Sequence, residues 1–193
     1  TIQGISDDLT EEMGQVPALE GLSTPNLDAL DIQAQVLRSG AEAIVQSLNG
    51  KYDQDFIFAG SDNQNAPFAI EDGHITYRGV AIDDPTTLNQ TYLDPETNKP
   101  IYKTDANGDP VLDDSGQPVA MTNAEVLKMW AEDDPMYVDI GLGFELDEDG
   151  KVIDSTAFDA SISGIAIMGY GIDEDGDPKN LASIMLRLAD IFE

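Results

Sequence analysis

Two segments of the chain repeat apolar residues at helical heptad spacing. Between Thr24 and Gly50 the intervals alternate between three and four residues. This spacing places one set of side chains on a single helix face, namely Leu27, Leu30, Ala34, Leu37, Ala41, Ile44 and Leu48. Thr24 is the expected N-cap, Pro25 the first helical residue and Asn49-Gly50 the stop. The pattern predicts either a coiled-coil helix or an ordinary amphipathic core helix, and periodicity alone does not separate them.

The second such segment closes the chain as "PKNLASIMLRLADIFE", with Asn180 as the expected cap. One face holds Leu181, Ile184 or Met185, Leu188, and Ile191 or Phe192. Because the ends of a compact insertion usually lie close together, we expect the two helices to pack side by side and antiparallel. The predicted seam joins Leu27, Leu30, Leu37, Ile44 and Leu48 to Leu181, Ile184 and Leu188.

The intervening residues alternate strand patterns with acidic glycine turns. The turns fall at 71–74, 105–109, 113–117, 147–151 and 173–177, and Asn-Gly or Asp-Gly supplies the positive φ of a tight hairpin. Strands are predicted at "HITYRGVAI" (74–82), "MYVDIGLGFE" (136–145) and "GIAIMGYG" (164–171). A short helix is predicted near 122–132, capped by Thr122 or Asn123, with Val126, Leu127 and Trp130 buried.

These elements predict an α+β fold, in which an antiparallel bundle of long helices carries a β-rich hairpin domain inserted between them. Residues 1–58 together with 179–193 form the expected discontinuous helical core. Residues 59–178 form the expected outer domain, with its one short helix. The segment 1–16 is a weaker helix candidate, with Ile2, Ile5, Leu9 and Met13 on one face.

Charge excludes two classes of partner. The 193 residues include 9 Lys and Arg against 38 Asp and Glu, a net charge of −29. Such a surface repels nucleic acid and anionic membranes, and no apolar run approaches the roughly 20 residues of a membrane span. The absence of cysteine excludes disulfides and thiol chemistry. Since the chain starts at Thr1 and ends within a helical pattern, we expect flanking sequence at both ends.

Candidate catalytic and metal-binding patterns are weak. His74, the one histidine, lies in a predicted hairpin turn and is expected to be exposed. The acidic turns at 105–110 and 173–178 resemble calcium loops, but Pro110 and Pro178 occupy the sixth position, where an EF-hand needs glycine. Nothing selects a carboxylate pair for glycoside hydrolysis. We therefore predict no enzyme and no catalytic, cofactor or metal residues; an extracellular calcium-binding adhesion module is the alternative from another class.

The order of several motifs resembles one known family. A long helix runs into the phrase "FIFAG", and "PF" follows after a polar stretch, which gives the motif residues Phe56, Ile57, Phe58, Ala59, Gly60, Pro67 and Phe68. The hairpin "IEDGHITYRG", the stretch "VDIGLGFELDEDGKVIDSTAFDASISGIAIMGYG" and the helix "NLASIMLRLADIF" come next. In this order the motifs resemble the flagellin superfamily, most of all its hook-filament junction proteins (hook-associated protein 3).

The resemblance implies a structural role. Members are exported unfolded through the flagellar type III apparatus and assemble outside the cell, with helices in the tube and a β-rich domain outside. It implies a subunit that joins hook to filament by helix packing and self-assembly; a filament flagellin is the alternative within the family. The implied partners are hook-associated proteins, flagellin, further copies of the chain and an export chaperone. Taken alone, the chain is expected to be a monomer or a weak oligomer.

Overall fold

The computed structural model describes residues 27–52, 54–95, 97–132, 134, 137–139, 157–159 and 163–193. Within these residues the protein is α+β, with helices and small antiparallel sheets. In chain order the elements are α1 (Leu27–Leu48), β1 (Lys51–Tyr52), β2 (Asp55–Phe56), β3 (Phe68–Glu71), β4 (His74–Tyr77), β5 (Val80–Ala81), α2 (Pro85–Leu88), α3 (Asn123–Glu132), β6 (Tyr137–Asp139), β7 (Ala157–Asp159), α4 (Gly164–Met168) and α5 (Leu181–Phe192).

The two long helical patterns do form helices. Helix α1 has 22 residues and ends at Leu48, directly before the predicted stop at Asn49-Gly50. Helix α5 begins at the predicted cap, because the Asn180 side chain accepts a hydrogen bond from the Ser183 N–H at 2.8 Å. The predicted cap of α1 at Thr24 and Pro25, the candidate helix at 1–16 and the turn at 147–151 lie outside the described residues.

A three-stranded antiparallel meander, ordered β3-β4-β5, follows α1. Two-residue loops connect its strands, Asp72-Gly73 and Arg78-Gly79, and all four residues have positive φ. This is the conformation of type I′ hairpin turns, whose twist matches the strands that they join. The prediction of one strand over 74–82 is therefore wrong, since the chain reverses at Arg78.

Three acidic turns have the same internal hydrogen bonds. In each, an aspartate side chain accepts bonds from the backbone N–H groups two and four residues later, at 2.8–3.0 Å. The aspartates are Asp105, Asp113 and Asp173, and a glycine with positive φ completes each turn. These backbone bonds lower the pKa of Asp105 and Asp173. The carboxylates are thus occupied in shaping the turns.

Helix α3 forms where predicted and packs on the side of the core that the meander forms. Its start is a capping box: the Glu125 N–H donates to the Thr122 hydroxyl, and the Glu125 carboxylate accepts from the Thr122 N–H at 2.9 Å. Val126, Leu127 and Trp130 are buried as predicted. The bond from Lys103, followed by those from Thr122, lowers the pKa of Glu125.

One predicted strand is a helix instead. The segment 164–168 forms the single turn α4, which ends at Gly169 with φ of +83°. Ile165 is fully buried while Ile167 is half-exposed, so the two do not share a face as strand alternation required. The Gly164 N–H donates to the Phe58 carbonyl at 3.0 Å, and this contact places the turn against the chain that leaves α1. Of the predicted strand 136–145, residues 137–139 form β6, paired with β7; the rest lies outside the described residues.

A single cluster of buried apolar side chains connects the helices to the meander and to α3. It includes Leu37 and Leu48 of α1, Leu186 of α5, Tyr77 of β4 and Trp130 of α3. The cluster therefore crosses the predicted boundary between helical core and outer domain; the division into two domains stays a prediction.

We predict that Gly164→Ala lowers the free energy of unfolding by about 1–3 kcal/mol, because a Cβ there would lie 2.6 Å from the Phe58 carbonyl oxygen and 2.8 Å from a ring carbon of Phe68. Alanine is otherwise the better helix former, by roughly 1 kcal/mol. The exposed Ala166→Gly is the control in the same helix and should cost less than about 1 kcal/mol in urea unfolding. A neutral or stabilising Gly164→Ala would contradict this packing.

We also predict that Glu125→Gln destabilises the protein at pH 7 by no more than about 1 kcal/mol, since the pair with Lys103 is partly exposed. Glutamine keeps the capping acceptor but loses the charge. Because the folded-state pKa of Glu125 is lowered, its contribution is present above the unfolded value near pH 4.3 and is lost as the pH falls through the folded value. Unfolding curves of wild type and variant should therefore converge in acid. Glu132→Gln, at an exposed pair 3.9 Å long, should have a smaller effect at pH 7.

Candidate functional site

Helices α1 and α5, which border residues 49–180, pack against each other. Arg38, in the middle of α1, bonds to Asp190 at 2.7 Å and to Glu193 at 2.8 Å, and this places the end of α5 beside the centre of α1. Both helices contact the meander, α1 through β3 and α5 through β4. Helix α5 therefore runs antiparallel to α1, along the half of α1 that ends at Leu48.

The contact faces of both helices contain small residues as well as large ones. The buried side chains on α1 are Ala34, Leu37, Ala41, Ile44, Val45 and Leu48; those on α5 are Ala182, Ser183, Met185, Leu186 and Ala189. Small side chains let helix backbones approach, and burial of each large aliphatic side chain contributes about 1.5–3 kcal/mol. The packed pair is thus a stable element and not a surface contact.

Helix α5 also has an apolar stripe that no described element covers. Leu181, Ile184, Leu188 and Ile191 are spaced three, four and three apart, and their exposed fractions are 48%, 37%, 39% and 73%. At about 100° per residue the centre of this stripe lies roughly 150° from the centre of the buried face. A helix that is apolar on opposite faces is typical of a buried helix. We call these four residues the α5 stripe.

The structure corrects the predicted face of α5. Leu37, Ile44 and Leu48 of α1 are buried and Leu30 is partly buried, while the side chain of Leu27 lies outside the described residues. Leu181, Ile184 and Leu188 point away from α1, since Met185, Leu186 and the small residues take their place. The reason is the rotation of α5, which brings Asp190 and Glu193 to Arg38. The assembly role of the α5 stripe stays a prediction.

The motif phrase after α1 forms a corner built around one arginine. Ala59 is fully buried and Gly60 has φ of +60°. The Arg78 guanidinium donates to the Ala59 carbonyl and to the Asp134 carboxylate, the latter at 2.6 Å, and Ser61 donates to the same carboxylate at 2.6 Å. A Cβ at Gly60 would lie 2.0 Å from the Asp134 oxygen, so this position requires glycine.

This ion pair is buried beside aromatic rings. The side chains of Arg78 and Asp134 are 10% and 6% exposed. The guanidinium lies 4.9 Å from the centre of the Trp130 ring and 5.4 Å from that of Tyr77, within cation–π range. Burial raises the pKa of the Tyr77 hydroxyl, with the Arg78 charge opposing the shift. The cluster fixes the motif corner to β4 and α3.

The other motif residues complete the connection. Phe68 and Pro67 are buried, and Phe68 contacts Tyr77 with ring centres 4.9 Å apart. The Asn49 side chain bonds to the backbone of Phe68 twice, donating at 2.7 Å and accepting at 2.9 Å. Phe56 and Phe58 are partly buried, and Ile57 is 39% exposed. The motif thus connects the end of α1 to the start of the meander.

The groups considered for catalysis and metal binding have structural partners. His74 is 47% exposed, as expected, and its Nδ1 lies 3.0 Å from an oxygen of the buried Asp83. Among the described residues no group of three or more potential metal ligands occurs. A cleft of about 570 Å³ contains Arg78, Trp130, Tyr92 and Asp62, but the arginine already bonds to Asp134. Another of about 610 Å³ lies between Ile101–Thr104 and α3.

None of the family models, curated proteins or solved structures compared with the chain matches it. Within the described residues, no helix is long and apolar enough to cross a membrane.

Sequence reasoning missed the polar residues that position these elements. Arg38 and Arg78 are two of the nine Lys and Arg residues in a strongly acidic chain. A cation among so many carboxylates is expected to form ion pairs, and this expectation was available from the sequence. The partner of Arg78 is 56 residues away and that of Arg38 more than 150, so no local pattern identifies them.

We predict that Asp134→Ala lowers the free energy of unfolding by about 3–5 kcal/mol, because it leaves the buried Arg78 charge without its carboxylate. The matched control is Asp177→Ala, which removes the exposed partner of Arg187 and should cost less than about 1 kcal/mol. Urea unfolding at pH 7 measures both. Equal losses in the two variants would show that the Arg78 cluster does not stabilise the corner.

Proposed function

We propose that this chain is a structural subunit of the bacterial flagellum, a member of the flagellin superfamily that joins hook to filament. The observation that carries the proposal is the pair of faces on α5. One face packs on α1 and the opposite one, the α5 stripe, stays exposed at heptad spacing. Such a helix fits a subunit whose second face is buried by neighbouring helices.

The arrangement of the chain supports this proposal. Helices α1 and α5 are distant in sequence and adjacent in space, and residues 49–180 lie between them. A rod of helices that carries an outward β-rich part is the organisation that the family resemblance implies. In the proposal, helices of neighbouring subunits extend the α1–α5 pair into the predicted long bundle, and burial of each stripe residue contributes about 1.5–3 kcal/mol.

The motif residues that carry the resemblance have a structural role at the corner after α1. "FIFAG" lies where the chain leaves α1, and its last residues are bound by Arg78 and by the backbone of α4. Gly60 and Ala59 are there because a larger side chain would displace the Asp134 carboxylate or the core. The phrase therefore sets the direction in which the insertion leaves the helices.

The net charge of the chain is compatible with its export and with its assembly in solution. A net charge of −29 keeps copies apart and soluble while the α5 stripe is uncovered. The calcium-binding alternative receives less support, since the carboxylates of Asp105 and Asp173 already accept bonds from their own turns.

The experiment disrupts the gene in the producing bacterium and restores it as wild type, as the double variant Ile184→Gln/Leu188→Gln, or as the control Leu112→Gln. Leu112 is an exposed leucine, 56% accessible, outside the helix pair. Electron microscopy should show hooks without attached filaments in the null strain and in the double variant, and normal filaments with wild type and control.

Immunogold labelling separates the candidate functions. Label confined to the boundary of hook and filament supports the junction role, and label along the filament identifies a flagellin instead. Normal flagella in the null strain, with the chain elsewhere on the cell, would reject the proposal. Strong stabilisation of the purified chain by calcium, measured by calorimetry, would then favour the adhesion module.

A further inference from the structure

We propose that the α5 stripe binds an amphipathic helix of a different polypeptide, one whose apolar residues are bordered by lysine or arginine. The inference rests on the proposed function and specifies the chemistry of its partner. It excludes a second copy of this chain as the stable occupant of the stripe.

The spacing of the stripe selects a helix. Intervals of three, four and three residues bring the exposed side chains into one line along the 12-residue α5. Such a line is complementary to a helix with its own heptad seam, because knobs and holes then repeat at the same period. An extended peptide alternates its side chains every two residues and does not match this period.

The area of the stripe argues against a stable dimer through this face alone. Four partly exposed aliphatic side chains offer a few hundred Å², roughly the size at which an apolar patch marks a binding site. A standard stable interface buries about 800 Å² on each partner. Two copies joined by their stripes would fall short of this area and would bring two charges of −29 together, whereas a basic helix on the same area is attracted by that charge.

The charges that border the stripe determine the sign of its partner. Arg187, about 80° around α5 from the centre of the stripe, is paired with Asp177. Arg38 and its two carboxylates, Asp190 and Glu193, lie on the opposite face of α5, against α1. Lys179 precedes α5, while Asp173, Glu174 and Asp175 lie in the turn before it. Near the stripe there are thus two cations, Arg187 and Lys179, and the four carboxylates of the turn 173–177. A partner with basic flanks gains attraction at this border, and one with acidic flanks is repelled.

The test uses two synthetic helical peptides with the same apolar heptad seam. One has lysine at the positions that flank the seam and the other has glutamate. Fluorescence anisotropy at low and at physiological salt measures their binding to the full 193-residue chain. We expect the lysine peptide to bind at least about tenfold more tightly than the glutamate peptide, and its affinity to fall as salt screens the charges.

Substitutions in the α5 stripe test whether the lysine peptide binds there. Ile184→Gln/Leu188→Gln should weaken binding of the lysine peptide at least about tenfold, and Leu112→Gln should leave it unchanged. Glutamine is a good helix former and both positions are exposed, so circular dichroism should show a folded double variant. Equal binding of both peptides, or an unchanged double variant, overturns the inference.

Sedimentation measurements test whether a second copy of the chain occupies the stripe. A wild-type dimer at micromolar concentration that the double variant loses would make a second copy the occupant and overturn the inference. The immunogold result is independent of the peptides. Label at the flagellum without peptide binding would reject only the partner chemistry, and peptide binding without flagellar label would reject the flagellar role.

Discussion

The rotation of α5 on α1 is the constraint on which the rest of the structure depends. Helix α5 is apolar on opposite faces, and the face that it buries contains Ala182, Ser183 and Ala189, whose small side chains let the helix backbones approach. In this rotation Asp190 and Glu193 also reach Arg38. An exposed ion pair is worth at most about 1 kcal/mol. The ion pairs therefore fit the observed rotation, while the apolar contacts supply most of the stability of the helix pair.

Local chemistry determined the elements that the sequence predicted well. The C-terminal end of α1, the Asn180 cap, the capping box of Thr122 and Glu125, and the Asp72-Gly73 turn each depend on residues no more than four positions apart. Patterns at that range are visible in a single sequence. The buried residues of α3 followed for the same reason, because one face of a short helix is apolar and the other is charged.

The features that the sequence did not reveal depend on distant partners. The alternation in 164–171 is compatible with a strand, but Gly164 lies where the Phe58 carbonyl and the Phe68 ring leave no room for a side chain, and a helical turn fits there. Arg78 lies at a turn position that favours glycine or asparagine. It is held there by Asp134 and Ala59, and neither contact is visible in a local pattern.

The two arginines form ion pairs at different places in the fold. Arg38 binds the face of α5 that turns inward, opposite the α5 stripe. Arg78 is buried, and its bonds to Ala59 and Asp134 hold the corner at which the chain leaves the helices. In a chain with so few cations, a cation surrounded by carboxylates has many possible partners. Arg78 and Asp134 are both buried, with the guanidinium over the Trp130 ring, so the loss of either partner would leave an uncompensated buried charge.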